Sequence, residues 1–340
     1  MNRIQSIDLT KGIGMILVIL GHCVFFGGQI HNMIFAFHMP LFFILSGMVF
    51  KPKKDEKKLV LKKAKALLVP YLVFCGIGIM ASIIIPVWRH ELSIKGILYD
   101  IYLGNPENIH ISSIWFLVCM FWVVMIAHYI CKIENVNLRI IIVIMIAGIG
   151  FGFAEYNSNF DFLPDSRLPF CIDVALVATL FFFVGRLLKG FVRYQEKMDV
   201  RTFIILGAAA ILFIIAYMSN GRTNLHALTF NNIFLYLVES ITGSIAVILF
   251  CKFIDEKFGK LRVIHGIRWI GRYSLIILGA QSIFVRMYIV IINSLGYNFS
   301  MYQLPLIHQI VSFIAVTALS ILYTYIYFLV KARIKGEIHE

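Results

Sequence analysis

Lys11 and His22 stand eleven residues apart in LTKGIGMILVILGHC, a stretch that is otherwise almost wholly apolar. Ionisable side chains in such a stretch are costly and usually functional. On an α-helix, eleven residues advance roughly 16 Å and turn three times plus about 20°. The two side chains therefore share one face at different depths. Lysine offers a fixed positive charge for an anion, and a neutral imidazole can accept a proton near neutral pH. The pattern suggests a narrow polar path: a long anionic molecule anchored at Lys11, its far end reaching His22. Gly12, Gly14 and Gly21 let a second helix or a ligand approach closely. Asp8 lies three residues before Lys11 and can pair with it. Each residue also has a plainer reading, a snorkelling interfacial lysine and a buried histidine bonded to a neighbouring helix.

A second stretch, FAFHMPLFFILSGMVF, places His38 and Pro40 near the opposite surface and Ser46 and Gly47 deeper. Further along the chain, Glu239 and Arg286 fall at similar depth in consecutive apolar segments. The economical expectation is that they pair, because a lone buried charge costs too much. Trp115 and Phe116 are expected at a membrane edge, as an interfacial belt or as a sugar platform. Asp161, Asp165, Arg167 and Asp173 crowd one loop end, where hydrated charges or an acceptor contact are both open readings.

The elements that must position these residues follow from composition. Hydrophobic types make up 60% of the 340 residues and charged types 14%, far too little charge to cover a soluble surface. Hydropathy gives ten spans: Gly12–Gly28, Met33–Phe50, Ala66–Trp88, Ile111–Ile130, Leu138–Ala154, Ile172–Leu188, Thr202–Met218, Asn231–Phe250, Tyr273–Leu295 and Leu304–Val330. Each is long enough to cross a bilayer as a helix, and lipid permits little else. The expected fold class is an all-α polytopic membrane protein of about ten helices in a single embedded domain. The first span carries no small-residue cleavage site and reads as a retained helix.

The formal charge of +13 is not a nucleic-acid signal. Lys51 to Lys65 holds eight basic residues, Arg186 to Arg201 five, Lys252 to Arg272 six and the tail from Lys331 three, whereas the alternate loops hold only Arg89, Lys95, Arg167 and Arg222. This positive-inside asymmetry predicts cytoplasmic termini and contact with anionic membrane lipids. Lys51 to Leu68 reads as an amphipathic stretch on the inner leaflet. The six cysteines show no paired spacing, so neither a disulfide nor a metal is expected.

The first fifty residues carry a resemblance. A basic residue, ten residues and then His, followed by FHMPLFF-x-LSG, is similar to the pattern of the acyltransferase-3 family of membrane O-acyltransferases. SSIWFLVCMF, from Ser112, and IGRYSLIILGAQS, from Ile270, resemble segments of its fucose 4-O-acetylase and polysaccharide O-acetyltransferase branch. Gln281 stands where a histidine is common. The resemblance implies transfer of an acyl group, usually acetyl, from cytoplasmic acyl-CoA to a hydroxyl of a cell-surface glycan or its lipid-linked precursor. It implies a multi-pass protein of the cell (plasma or inner) membrane. His22 is then the expected general base and Lys11 the contact for CoA phosphates. Ser46 and Gln281 are expected along the pantetheine arm. Arg286 is expected at the oxyanion, and His38, Trp115 and Glu239 at the acceptor. Two readings from other classes compete: a transporter of glycans or small metabolites, which should show inverted repeats or broken helices, and a structural partner in glycan assembly.

Overall fold

The computed structural model describes residues 4–23, 28–89, 93–156, 167–191, 198–297, 299 and 304–334. Asp161 and Asp165, named above, lie outside the described residues. The regular elements are helical: α1 (Gln5–Cys23), α2 (Gln29–Val49), α3 (Glu56–Lys63), α4 (Val69–Ile84), α5 (Pro86–Arg89), α6 (Ile94–Leu103), α7 (Trp115–Ile130), α8 (Val136–Tyr156), α9 (Ile172–Phe191), α10 (Val200–Asn220), α11 (Ile233–Phe258), α12 (Arg262–Arg272), α13 (Ser274–Ser294) and α14 (Leu306–Ile334). Among the described residues, nine helical runs are long and apolar enough to cross a membrane.

The tenth expected span is α7. Its 16 residues make a helix of about 24 Å, short of the ~30 Å hydrocarbon layer. It need not reach both surfaces, because most of it is buried in protein. The third span differs in another way. Lys51 to Leu68 is not separate from it: Glu56–Ile84 forms one run of 29 residues, with a π-helical turn at Ala64–Leu68. Pro70 explains the widened turn, since proline lacks an N–H and its ring crowds the carbonyl four residues back.

α1 is the hub. It packs on α12, α2, α11, α13 and α14. Its span is 67% buried, like that of α2, against 11% for α10. Small residues allow this crowding. A Cβ on Gly12 would overlap the Ile267 carbonyl, and one on Gly271 would overlap the Asp8 carbonyl, so α1 and α12 touch backbone to backbone. Gly47 and Gly185 play the same role where α2 crosses α9. α12 lies within the basic stretch Lys252 to Arg272. Its alternation of Ile264, Ile267 and Ile270 with Arg262, His265 and Arg268 has helical period. Arg268 is held by Asp255 at the end of α11.

Candidate active site

Helix geometry places Lys11, Met15, Val18 and His22 on one stripe of α1, and all four line cavities. The larger cavity has a volume of about 540 Å³. Lys11, Lys51, Lys53, Lys62, Lys63 and Arg272 contribute to its lining, so six cationic side chains from four segments converge there. Deeper in, its wall is apolar, with Met15, Phe42, Phe116 and Met120, and Ser46 interrupts it. Like charges gather at such density at a cost to folding, which an anionic ligand relieves.

The smaller cavity, about 120 Å³, lies at the His22 end of the stripe. Its lining is mixed: His22, His38, Glu107, Ser113, Asn224 and His226 supply polar groups, and Trp115 is among the apolar residues. Val18, Met39 and Leu278 border both cavities. The two spaces therefore abut at a collar of three apolar side chains, one each from α1, α2 and α13.

His38 is buried, and its Nδ1 lies 2.8 Å from the Ile34 carbonyl. A carbonyl only accepts, so Nδ1 carries the proton and Nε2 keeps its lone pair. His31 is fixed the same way, its Nδ1 2.9 Å from the Gly21 carbonyl. Phe35 sits among the three imidazoles, its ring 4.0 Å from His31, 4.7 Å from His38 and 6.1 Å from His22 between centroids. Trp115 stacks on His226 at 4.6 Å and 21°. Burial, and then the charge of Arg167, lowers the His226 pKa to about 3.

The remaining predicted site residues lie beside the two cavities rather than on their walls. Gln281 is fully buried and donates from Nε2 to Ser282 Oγ at 3.3 Å. Ser113 donates to the Leu278 carbonyl at 2.8 Å, so in the short 2.5 Å contact between hydroxyls Ser282 is the donor to Ser113. Gln281 thus braces the collar through Ser282 and Ser113. Arg286 Nη1 donates to His110 Nδ1 at 3.1 Å, and His110 stacks on Trp88. The expected Glu239–Arg286 pair does not form. Glu239 Oε1 accepts instead from Asn220 Nδ2 and Thr223 Oγ1, each at 3.0 Å. The expectation rested on consecutive spans being neighbours, whereas α12 intervenes in sequence and α1 packs against both α11 and α13.

The sequence alone does not single out Ser113, His31 or His226: Ser113 just precedes α7, His31 lies in the first turn of α2, and His226 sits in a loop. Only the fold brings Ser113 to Leu278, 165 residues away in the chain.

A family model described as an acyltransferase domain matches residues 4–325, which takes in every candidate site residue. A search of curated proteins finds no significant match. The chain belongs to the acyltransferase-3 family of membrane acyltransferases.

Proposed function

We propose that this protein is an O-acetyltransferase of the cell membrane. It takes acetyl from cytoplasmic acetyl-CoA and delivers it to a hydroxyl of a surface glycan or of its lipid-linked precursor. The sequence segments quoted above favour the fucose and polysaccharide O-acetyltransferase branch. The observation that carries the proposal is the pair of abutting cavities, one collared by cations, the other walled by histidines, with Val18, Met39 and Leu278 common to both.

The basic collar suits the phosphates of CoA, with Lys11 the cation nearest the junction along α1. The apolar passage past Met15 and Phe42 suits a thin pantetheine arm, and Ser46 offers it a hydrogen bond. The thioester then reaches the Val18–Met39–Leu278 collar with its acyl group toward His22. One hydroxyl of the acceptor, entering the smaller cavity, donates to the lone pair of His38 Nε2, which orients the sugar, and the neighbouring reacting hydroxyl donates to His22. Its oxygen bonds to the thioester carbonyl carbon as His22 takes the hydroxyl proton. The C–S bond breaks, the thiolate recovers that proton from the imidazolium, and the products are an ester and CoA. Trp115 offers a face for a sugar ring. The lysine-rich end faces the cytoplasm in this reading, as the charge asymmetry of the loops requires.

The test uses purified full-length protein in detergent, acetyl-CoA labelled in the acetyl group, and methyl fucoside as acceptor. The proposal expects labelled ester, and at least about a hundredfold less from His22→Ala. Release of CoA without ester, or binding of the glycoside with no affinity for CoA, contradicts it; the latter is what a transporter would show.

A further inference from the structure

Glu239 is a fully buried carboxyl that lines neither cavity, and its Oε2 has no hydrogen-bond partner among the described residues. Burying such a group is costly unless its bonds do structural or functional work. Its two bonds go to the root of one loop. Asn220 closes α10, and the chain then turns at Gly221, whose φ is +81°. Thr223 follows, and Asn224 and Thr229 form a short antiparallel bridge, N to O at 3.0 and 3.1 Å. Asn224 Oδ1 accepts from the His226 and Ala227 amides within the turn. The loop returns through Asn231, which donates to the Asn220 carbonyl, and Asn232, whose amide donates to Asn220 Oδ1. Asn220 is thus bonded twice to the returning strand of the loop and once to Glu239.

The other end of this hairpin is the wall of the smaller cavity. Asn224, Leu225 and His226 line it, Leu225 and Leu228 are buried in the bundle, and His226 lies flat on Trp115. A loop that inserts apolar and aromatic side chains into a cavity has its position set at its root.

We infer that Glu239 is a positioning residue of the acceptor site: through Asn220 and Thr223 it fixes the 221–232 hairpin that carries Asn224, Leu225 and His226 into the smaller cavity. Its acceptor role rests on the function proposed above, whereas its hold on the hairpin does not. Displacement of the hairpin alters the space for the acceptor and leaves the cation-lined cavity intact.

The experiment combines two readouts. Leu225→Cys is made in the full chain, and its labelling by a water-soluble maleimide is followed in purified protein, with the buried native Cys119 as the reference for general loosening. In the same background Glu239→Leu, Glu239→Gln and Thr223→Val are compared. Loss of both hydrogen bonds to a buried carboxyl predicts labelling at least about tenfold faster in Glu239→Leu. Thr223→Val, which removes one bond, gives a smaller rise. Glu239→Gln keeps an Oε1 acceptor and labels at the parental rate, with Cys119 protected throughout. In parallel, Glu239→Leu on the otherwise native chain raises the KM for methyl fucoside by about tenfold and leaves the affinity for CoA unchanged. Unchanged Leu225→Cys labelling in both Glu239→Leu and Thr223→Val overturns the inference. So does equal loosening at Cys119, or a loss of CoA affinity that matches the rise in KM. If Glu239→Leu fails to fold, Thr223→Val decides alone. Should no variant and no parent transfer acetyl, the functional reading fails, and the labelling still decides whether Glu239 holds the hairpin.

Discussion

Lys11 and His22 occupy the same face of α1 but open into different cavities, and Val18, on the same stripe between them, borders both. The two residues should therefore fail in different ways. Lys11→Ala removes one of six cations at the larger cavity and should weaken acetyl-CoA binding about tenfold, the worth of a charge-assisted contact, with kcat largely retained. His22→Ala should lower kcat by about 10²–10⁴, the usual contribution of a general base, with CoA affinity unchanged. Calorimetric titration of CoA beside initial rates separates the two. An equal loss of CoA affinity in both variants would mean that the residues share one site rather than two.

On the proposed function, the size of the smaller cavity should limit the acyl group. A thioester entering from the lysine-lined side would point its acyl chain into about 120 Å³, room for about four waters at ~30 Å³ each, and half of the residues lining it are polar. Acetyl-CoA should be the best donor and octanoyl-CoA inactive. Met39→Ala opens the collar and should admit butyryl-CoA. Competition assays with the three thioesters read this directly, and equal rates with acetyl and octanoyl donors would refute it.

His110, in a turn, and Asp100, on α6, should oppose each other in acid. Burial, helped by the Arg286 charge, lowers the His110 pKa from 6.5 to about 4. Between those values the unfolded chain binds the extra proton, so this residue costs stability as pH falls. Burial raises the Asp100 pKa from 3.8 to about 6, against the bonds it accepts from Asn108 and the Ile109 amide. Here the folded chain binds the extra proton, so this residue adds stability as pH falls through the same range. His110→Gln should become relatively more stable than the parent on going from pH 7 to about pH 4.5, and Asp100→Asn relatively less. Thermal melts at the two pH values give the sign of each.

The seam between α1 and α12 has no room for a side chain. Gly12→Leu or Gly271→Leu must push apart backbones that are in contact, and overpacking of this kind costs about 1–3 kcal/mol or more. Both should lower the melting temperature by several degrees, whereas Gly148→Ala, at a position with open space, should not. The Gly12 variant should also lose CoA affinity, because Lys11 moves with its backbone.

Helix arithmetic alone places Lys11 and His22 on a common face, because about 3.6 residues per turn leaves no freedom within one helix. Ser46 is legible for the same reason: it lies about two turns after Met39 on α2. What the chain does between helices is not legible. The Glu239–Arg286 pairing needs knowledge of which helices touch, and α1, the first span, stands against both α11 and α13. α12 is hidden in a run of basic residues whose charge masks its isoleucine period. The hairpin at Asn224 reads locally as a polar loop, and only its long-range contact with Trp115 makes it a piece of a cavity wall.

The central claim is that acetyl passes from one cavity to the other through the Val18–Met39–Leu278 collar. Single-turnover transfer from labelled acetyl-CoA to methyl fucoside by Val18→Trp, with CoA affinity measured on the same preparation, tests it most directly. Filling the junction should leave CoA bound as in the parent and reduce transfer by about 10² or more, as a misplaced thioester would. Transfer at the parental rate by a folded Val18→Trp protein would contradict the account.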